Sequence, residues 1–193
     1  MAVIDSRTGT VLAPISVDNA ESPEDRLRAW VSALTDLPIE LVRKRWLAKP
    51  GTRPPLHVDW CAVGVESIRT LGTPAQIGHK GNIDDPVSGD VKRESHQRLS
   101  CVASFYGPRA MELADTFREG ALLFQNIGAL ERHGLSLQGV DDNMQHLPDL
   151  LHEQWVDRYD VTFKVGRKVV RTYGVRDLAS VGKISILTEK GMQ

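Results

Sequence analysis

The stretch of sequence that decides the fold runs from Leu99 to Pro108 and reads LSCVASFYGP. Around it, apolar and polar residues alternate from residue 91 to residue 106, with a period of two. The apolar odd positions are Leu99, Cys101, Ala103 and Phe105, and the polar even positions are Glu94, His96, Arg98, Ser100 and Ser104. This pattern predicts a half-buried antiparallel strand with its odd face on the core and its even face polar.

A helix is predicted directly after Gly107-Pro108, which ends the strand. Apolar residues recur there at helical spacing and mark one buried stripe. The stripe consists of Met111, Ala114, Phe117, Ala121 and Phe124, so the helix is expected to run to about Gln125. A shorter helix over residues 127–133 ends at Gly134, a residue type that often ends helices. We expect both helices to lie on the apolar face of the sheet.

Another helix is predicted before the strand. Ser22-Pro23-Glu24-Asp25 combines a cap residue, a first-turn proline and two acids that the helix dipole favours. The apolar stripe that follows is Leu27, Trp30, Val31, Leu34 and Leu37. Pro38 is expected to start a short helical turn reaching Trp46, and a proline-rich connector at residues 49–55 then breaks regular structure.

Further strands complete the predicted sheet. Residues 59–71 are rich in Val, Ile, Cys and Trp, whereas residues 72–90 are rich in Gly, Pro and Asp, which predicts a strand followed by a hairpin loop. A short strand is expected at residues 135–140, a polar loop at 141–154 and an alternating strand at 155–165. The predicted core aromatic residues are Phe105, Phe117, Trp155, Tyr159 and Phe163.

This order of elements predicts the α+β class: a mainly antiparallel sheet with helices packed on one face, plus an extended hairpin and a C-terminal arm. Residues 1–22 show no hydrophobic period, and we expect them to form an N-terminal extension. Residues 23–175 are expected to form a single α+β domain. The C-terminal arm, residues 176–193, has too few apolar residues for a core of its own and is expected to pack on something else.

Composition restricts the partners. The 193 residues are 41% hydrophobic, and 24 basic against 25 acidic residues leave no net attraction to nucleic acid or anionic membrane. No run approaches the roughly 20 apolar residues that span a bilayer, so we expect a cytoplasmic chain with no membrane partner. Cys61 and Cys101 lie in apolar, strand-like runs and are expected to be reduced core thiols.

The sequence predicts no catalytic, cofactor-binding or metal-binding residue. The histidines are scattered and none form a zinc pair at helical spacing, so they are expected on the surface: His57, His79, His96, His133, His146 and His152. An acidic loop with Asp84, Asp85, Asp90 and Glu94, next to Lys92, leaves a metal-dependent nuclease as a weak alternative, but a solvated hairpin tip explains it better.

Basic residues form two groups that could contact phosphates: Arg43-Lys44-Arg45, and the set Lys164, Arg167, Lys168 and Arg171. No set of aromatic residues for base stacking accompanies either group, and acids lie among them. Charged contacts between subunits or solvated faces therefore fit better than nucleic-acid recognition.

Five segments, in matching order, resemble a family of bacteriophage neck or tail terminator proteins over about residues 24–187. Its most specific motif is similar to Ser104-Phe105-Tyr106-Gly107-Pro108. The other matching segments are Leu37–Trp46 with Asp59–Val65, Leu122–Asn126 with Ala129-Leu130, Trp155–Val161, and Arg171–Val175, where Gly174 replaces the family's Pro. The motifs are largely structural, so the resemblance implies fold and assembly rather than a reactive site.

The resemblance implies a structural protein of the virion tail or neck, assembled in the host cytoplasm. Such proteins form a ring, usually a hexamer, that caps the head-proximal end of the tail tube and joins the tail to the neck. The implied partners are further copies of the chain, the tube protein, a neck or head-completion protein, the sheath protein, and DNA passing through the lumen. Another head-tail connector or head-completion protein remains the alternative.

A ring contact joins two different patches, and extended segments can supply them. The candidate segments are the hairpin at about residues 72–91, the proline-rich connector and the C-terminal arm.

Deleting residues 176–193 is expected to leave a folded monomer that assembles less well, because the arm contributes little to the central core. Thermal unfolding and light scattering of the truncated protein would check this. Loss of cooperative unfolding would show instead that the arm belongs to the core.

Overall fold

The structure is a computed structural model that describes residues 11–47, 52–79, 89–151 and 153–175. Contacts between Cα atoms divide the chain into two units. The smaller unit consists of Met1–Asp18, Ala75–Glu94 and Val170–Gln193, and the larger unit of Asn19–Pro74 and Ser95–Val169.

Helices and strands alternate irregularly along the described residues. The helices are α1 (Glu24–Thr35), α2 (Ala110–Ala121) and α3 (Phe124–Glu131), and a 3-10 turn covers Ile39–Leu41. The strands are β1 (Ser16–Asp18), β2 (Val42–Lys44), β3 (Trp60–His79), β4 (Asp90–Tyr106), β5 (Ser136–Val140), β6 (Gln145–His146), β7 (Asp149–Leu151), β8 (Gln154–Val156) and β9 (Arg158–Gly174).

The sheet of the larger unit has the strand order β9-β4-β3-β2, and β5 and β6 also pair with β9. Both of these pairings with β9 are antiparallel. β2 is parallel to β3, with Val42 opposite Cys61, so the sheet is mixed rather than purely antiparallel. β7 and β8 form a separate antiparallel pair. The predicted α+β class is confirmed.

In the smaller unit, β1 pairs antiparallel with β9, and Ser16 lies opposite Thr172. The amide of Ile15 donates to the carbonyl oxygen of Thr172 at 2.7 Å, and the amide of Val175 donates to that of Gly89 at 3.0 Å. Residues 16–18 therefore form a strand although the sequence shows no hydrophobic period there. The ladder to β9 satisfies backbone groups there without any side-chain pattern that the sequence reveals.

The core of the larger unit lies between the odd face of the sheet and the helices. Phe117 on α2 is fully buried and contacts three other aromatic rings, with centroid distances of 5.5 Å to Trp30, 5.7 Å to Phe105 and 5.4 Å to Phe163. The alternation of β4 is confirmed on this face, because Leu99, Cys101, Ala103 and Phe105 are all fully buried.

Both cysteines are free and buried, as predicted. Burial raises the pKa of the Cys101 thiol to about 12 and raises the pKa of the Cys61 thiol well above its ordinary value. Each thiol therefore stays protonated near neutral pH and is a poor nucleophile.

The helix predicted after Pro108 is shorter than expected. α2 ends at Ala121, Leu123 adopts an extended backbone with ψ of 133°, and α3 begins at Phe124 rather than at residue 127. The break removes Phe124 from the buried stripe, and its side chain is 89% exposed. Met111 is also exposed, because it lies at the start of α2 on the side away from the sheet.

Three other predictions from the sequence need correction. The helical turn expected from Pro38 to Trp46 is only the 3-10 turn Ile39–Leu41, because residues 42–44 pair with β3 instead. β3 continues through the Gly- and Pro-containing segment to His79, which shortens the predicted hairpin loop. The predicted loop at 141–154 contains β6, β7 and the start of β8.

Trp155 is not a core residue. It belongs to β8, which pairs with β7 and is separated from β9 at Asp157, so the alternation of β9 does not include it. Its side chain is 71% exposed. Phe163 is buried as predicted, and Tyr159 is partly buried against the core cluster. Within the described residues, none of the helices has the length and apolar character needed to cross a membrane.

Replacing Phe117 with Ala is expected to lower the free energy of unfolding by about 3–5 kcal/mol, because it leaves a cavity among three aromatic rings. Phe124→Ala is the matched control, since the same side chain is exposed there, and should change stability by less than about 0.5 kcal/mol. Denaturant unfolding of both variants measures the difference. A mild effect of Phe117→Ala would contradict its central position.

Candidate functional site

The even face of the sheet carries buried polar residues, which the sequence did not predict. Ser104 on β4 is fully buried and Asp160 on β9 is 6% exposed. Val102 and Tyr106 are buried on the same face. The strand was predicted to be half-buried, but the C-terminal part of β4 is buried on both faces, because other segments of the larger unit cover its even face.

Asp160 lies between two arginines. Its Oδ2 atom accepts a hydrogen bond from Nη2 of Arg158 at 3.2 Å and lies 3.9 Å from Nη1 of Arg45. Its Oδ1 atom is 3.1 Å from Nε of Arg158, an ion contact without hydrogen-bond geometry. Nη1 of Arg45 also donates to the hydroxyl of Ser104. A buried carboxylate is thus balanced by two guanidinium groups, as burial of a charge requires.

Arg158 extends this network to the β7–β8 hairpin and the proline-rich connector. Its Nη1 atom donates to Oδ1 of Asp149 at 3.0 Å, and Nη2 of Arg53 lies 3.6 Å from the other oxygen of Asp149. Burial of the Arg158 guanidinium acts to lower its pKa, but the charges of Asp160, Tyr106 and Asp149 outweigh that effect, and the pKa is raised. Arg158 therefore remains a cation within the network.

An aromatic stack lies beside the charged network. Trp60 and Tyr106 are stacked with centroids 4.2 Å apart and planes 7° apart. The guanidinium of Arg53 lies 4.6 Å from the Tyr106 ring and 5.3 Å from the Trp60 ring, within cation–π distance of both. Burial raises the pKa of Tyr106, and the charge of Arg158 offsets part of that rise.

Gly64 allows Arg45 and Trp46 to approach β3 closely. A Cβ atom at Gly64 would lie 2.8 Å from Cβ of Arg45, which is too close for van der Waals contact. It would also lie 3.1 Å from Nε1 of Trp46, which is a tight contact. The Arg45 guanidinium in turn lies 5.4 Å from the Trp46 ring. The conformation of residues 45–46 therefore depends on a residue without a side chain at position 64.

These residues line a groove of about 340 Å³, which we call the arginine–aromatic groove. Its lining residues are Arg43, Lys44, Arg45, Trp46, Leu47, Arg53, Trp60, Ala62 and Tyr106. Lys44 donates to Asp25 at 2.6 Å, which lowers the pKa of that carboxyl. Arg43 donates to the carbonyl oxygens of Glu40 and Thr52. The groove combines cations with aromatic walls, a combination suited to binding rings and carboxylates.

The Gly107-Pro108 turn is tied to the segment before β3. Gly107 has φ of +108°, and a Cβ atom there would lie 2.6 Å from Oδ1 of Asp59. Asp59 accepts from the Arg109 amide at 2.9 Å and from the Arg109 side chain at 3.0 Å. The turn thus requires glycine both for its backbone conformation and for its close contact with Asp59.

The other predicted candidates are the acidic loop and the six histidines. Asp84 and Asp85 of the acidic loop lie outside the described residues, as do the side chains of His79 and His152. The four remaining histidines, His57, His96, His133 and His146, are exposed as predicted. Among the described residues there is no group of three His, Cys, Asp or Glu side chains placed to hold a metal ion.

The second basic group makes contacts within the fold. Lys164 lies 3.1 Å from Asp141, and Arg167 donates to the side chain of Gln97 at 2.9 Å and to the carbonyl oxygen of Glu21 at 3.0 Å. Arg171 lies on β9 opposite Val17. The first basic group, by contrast, lines the arginine–aromatic groove.

A second surface lies on the helical side of the larger unit. We call Leu122, Leu123 and Phe124 the apolar shelf, and their side chains are 56%, 60% and 89% exposed. A third surface is the exposed pair Leu150 and Trp155, which lie opposite each other on the β7–β8 hairpin. Contiguous exposed apolar side chains of this size often mark interaction sites.

Sequence reasoning placed part of the shelf in the core, although one signal argued against this. Three consecutive helical positions are separated by about 100° each, so Leu122, Leu123 and Phe124 could not all face the same core. The pairing of Asp160 with Arg45 gave no comparable signal, because it depends on strands far apart in sequence.

A family model described as phage neck terminator protein matches residues 24–191. A search of curated proteins finds no match. Some of the segments whose resemblance was noted in the sequence meet in the structure. Residues 42–46, 59–65, 104–108 and 155–161 contribute to the groove, its network or the adjoining turn and hairpin, whereas residues 122–130 contribute to the helical side.

Asp160→Asn is expected to lower the free energy of unfolding by about 2–3 kcal/mol, because it leaves Arg45 and Arg158 without their shared counter-charge. The expected loss is below that of a completely buried pair, since water reaches part of both arginines. Asp157→Asn, three residues earlier at an exposed position, is the control and should cost less than about 1 kcal/mol. Urea titration compares the variants, and equal losses would contradict the role of Asp160.

Proposed function

The chain belongs to the phage neck terminator protein family, whose model matches residues 24–191, and we propose that it forms a ring on the head-proximal end of the phage tail tube. The proposed ring has six copies, the usual number that the resemblance implies. It ends growth of the tube and joins the tail to the neck. Membership of the family makes it a component of the virion tail or neck, and we propose that the ring assembles in the host cytoplasm before or during joining to the head.

The observation that carries this proposal is the family match over most of the chain. The exposed surfaces of the larger unit are compatible with it. A closed ring of identical subunits uses a head-to-tail contact, in which two different patches of each subunit meet. The apolar shelf and the arginine–aromatic groove are two such patches with different shapes and chemistry.

The proposed role is structural rather than catalytic. The residues of the groove make ion pairs, cation–π contacts and aromatic stacking with one another, and these interactions bind and orient rather than break bonds. A terminator ring needs rigid subunits with specific surfaces, and the buried network of Asp160 with its arginines supplies rigidity next to an open groove.

The β7–β8 hairpin is a further candidate contact of the proposed ring, with the tube or the neck. Leu150 and Trp155 project together from it, and Asp149 holds its base to Arg158 and Arg53. A hairpin fixed at its base and apolar at exposed positions suits insertion into a neighbouring protein, because little conformational entropy is lost when it binds.

Purified protein is expected to bind one end of isolated tail tubes and to stop further addition of tube protein. Electron microscopy of tubes with and without the protein tests binding, and light scattering measures the size of the free and bound protein. Trp155→Ala, at an exposed position, tests whether the β7–β8 hairpin contributes to tube binding. Met111→Ala, at an exposed position on α2, is its control.

A ring-sized species, or capture of monomers at one tube end, would support the proposal. A chain that ignores tubes but binds head portals would favour the head-completion alternative instead. A chain that stays monomeric and binds neither would contradict the proposed function.

A further inference from the structure

The apolar shelf and the arginine–aromatic groove lie on opposite sides of the sheet of the larger unit. The groove contains Ala62 and Tyr106, which occupy even positions of β3 and β4. The neighbouring odd positions, such as Cys61 and Phe105, face the core under the helices. The shelf joins α2 to α3 within that helical layer. One subunit therefore presents the two surfaces in different directions.

The shelf is held in place by hydrogen bonds within the fold. Nδ2 of Asn126 donates to the carbonyl oxygen of Gly120 at 2.7 Å, and Nε1 of Trp30 donates to that of Asn126 at 2.9 Å. The amides of Leu122 and Leu123 donate to the carbonyl oxygens of Glu119 and Gly120. The exposed side chains thus project from a fixed junction rather than from a frayed helix end, so little conformational entropy is lost when they are covered.

The groove has room for an aromatic side chain. A cavity of about 150 Å³ is enough for a benzene ring, and the groove measures about 340 Å³. Trp46 and Leu47, which form part of its wall, are 60% and 46% exposed. A phenyl ring placed there would contact the indole of Trp46 and the guanidinium groups of Arg43 and Arg45, contacts that aromatic rings favour.

The charges next to the two surfaces are opposite. The last two turns of α2, which lead to the shelf, carry two acids against one arginine: Asp115 and Glu119 against Arg118. The groove and its network carry five cations, Arg43, Lys44, Arg45, Arg53 and Arg158, against the three acids Asp25, Asp149 and Asp160. The excess of one negative charge beside the shelf therefore complements the excess of two positive charges at the groove, which favours contact between them.

We propose that the shelf of one copy docks in the arginine–aromatic groove of a second copy, with Phe124 as the central anchor. Because the two surfaces differ and face different ways, the contact is head-to-tail, and each bound copy leaves a shelf at one end and a groove at the other. The contact between two copies stands on these surfaces alone, whereas its closure into a ring rests on the proposed function.

Cysteine cross-linking between copies tests the contact directly. Phe124→Cys and Leu47→Cys place one thiol on the shelf and one at the groove, and the native Cys61 and Cys101 are buried with raised pKa values and so stay unreactive. Mixing the two single variants under mild oxidation is expected to give a disulfide-linked dimer. Neither variant alone should do so beyond background, and a chain with both substitutions should form longer linked species.

Met111→Cys mixed with Leu47→Cys is the control for this experiment. Met111 is exposed on the same helical layer, but it lies eleven positions before Leu122 at the other end of α2, about 16 Å away. This pair should not cross-link. Equal cross-linking of both pairs would show non-specific collision and would overturn the proposal.

Phe124→Lys provides an independent measurement without oxidation, because it removes the ring and brings a like charge to the cationic groove. It is expected to weaken self-association by roughly tenfold or more, as removal of an aromatic anchor at an interface does. Because the side chain is exposed, unfolding of the variant should match that of the wild type, which a thermal scan verifies. A fully folded variant with unchanged self-association would overturn the docking contact.

The outcomes separate this inference from the proposed function. If wild-type rings form and cap tubes while Phe124→Lys rings persist and no mixed cross-link appears, the docking contact is wrong and the proposed function stands. If Phe124→Lys associates normally but loses binding to tubes, the shelf contacts the tube protein instead. If the mixed cross-link forms but the protein ignores tubes and heads, the contact is right and the proposed function is wrong.

Discussion

The fold of the larger unit depends on the contacts of one side chain, Phe117. Its ring contacts Trp30 of α1, Phe105 of β4 and Phe163 of β9. A single residue of α2 therefore fixes both α1 and α2 relative to two strands of the sheet. Trp30 then carries the constraint onward, because its indole donates to the carbonyl oxygen of Asn126 at the start of α3. The direction in which the apolar shelf projects is therefore a consequence of core packing.

The opposite face of the sheet is organised by charge rather than by apolar packing. Asp160 and Ser104 occupy positions where aliphatic residues would ordinarily exclude water. Asp160 accepts a hydrogen bond from Arg158 and lies near Arg45, which donates to Ser104. Replacing such a network with aliphatic residues often costs no stability, so the network is better explained by the shape it fixes than by its energy. It holds β2, the connector and the β7–β8 hairpin around a groove that stays open.

Sequence patterns predicted the parts of this fold that repeat locally. The alternation around Cys101, the stripe of α1 and the burial of both cysteines needed only neighbouring residues, and all three agree with the structure. Trp155 was misplaced because the strand changes its pairing partner at Asp157, and a period of two does not show where a partner ends. The parallel pairing of β2 also depends on a partner separated by the connector.

The groove itself lay beyond such reasoning, because it is assembled from four segments that only the sheet register brings together. Some of the segments that resemble the family do contribute residues to it, among them Trp60, Ala62 and Tyr106. Gly64 permits the close approach of Arg45, because it has no side chain. Gly107 forms a turn at positive φ, and Asp59 accepts a hydrogen bond from the amide of Arg109. Residues that shape the backbone thus account for part of two of the five matching segments. Phe124, Leu122 and Leu123 are different, since their removal would leave the fold intact, and burial by a partner gives a physical reason for three adjacent apolar side chains to face solvent in a single subunit.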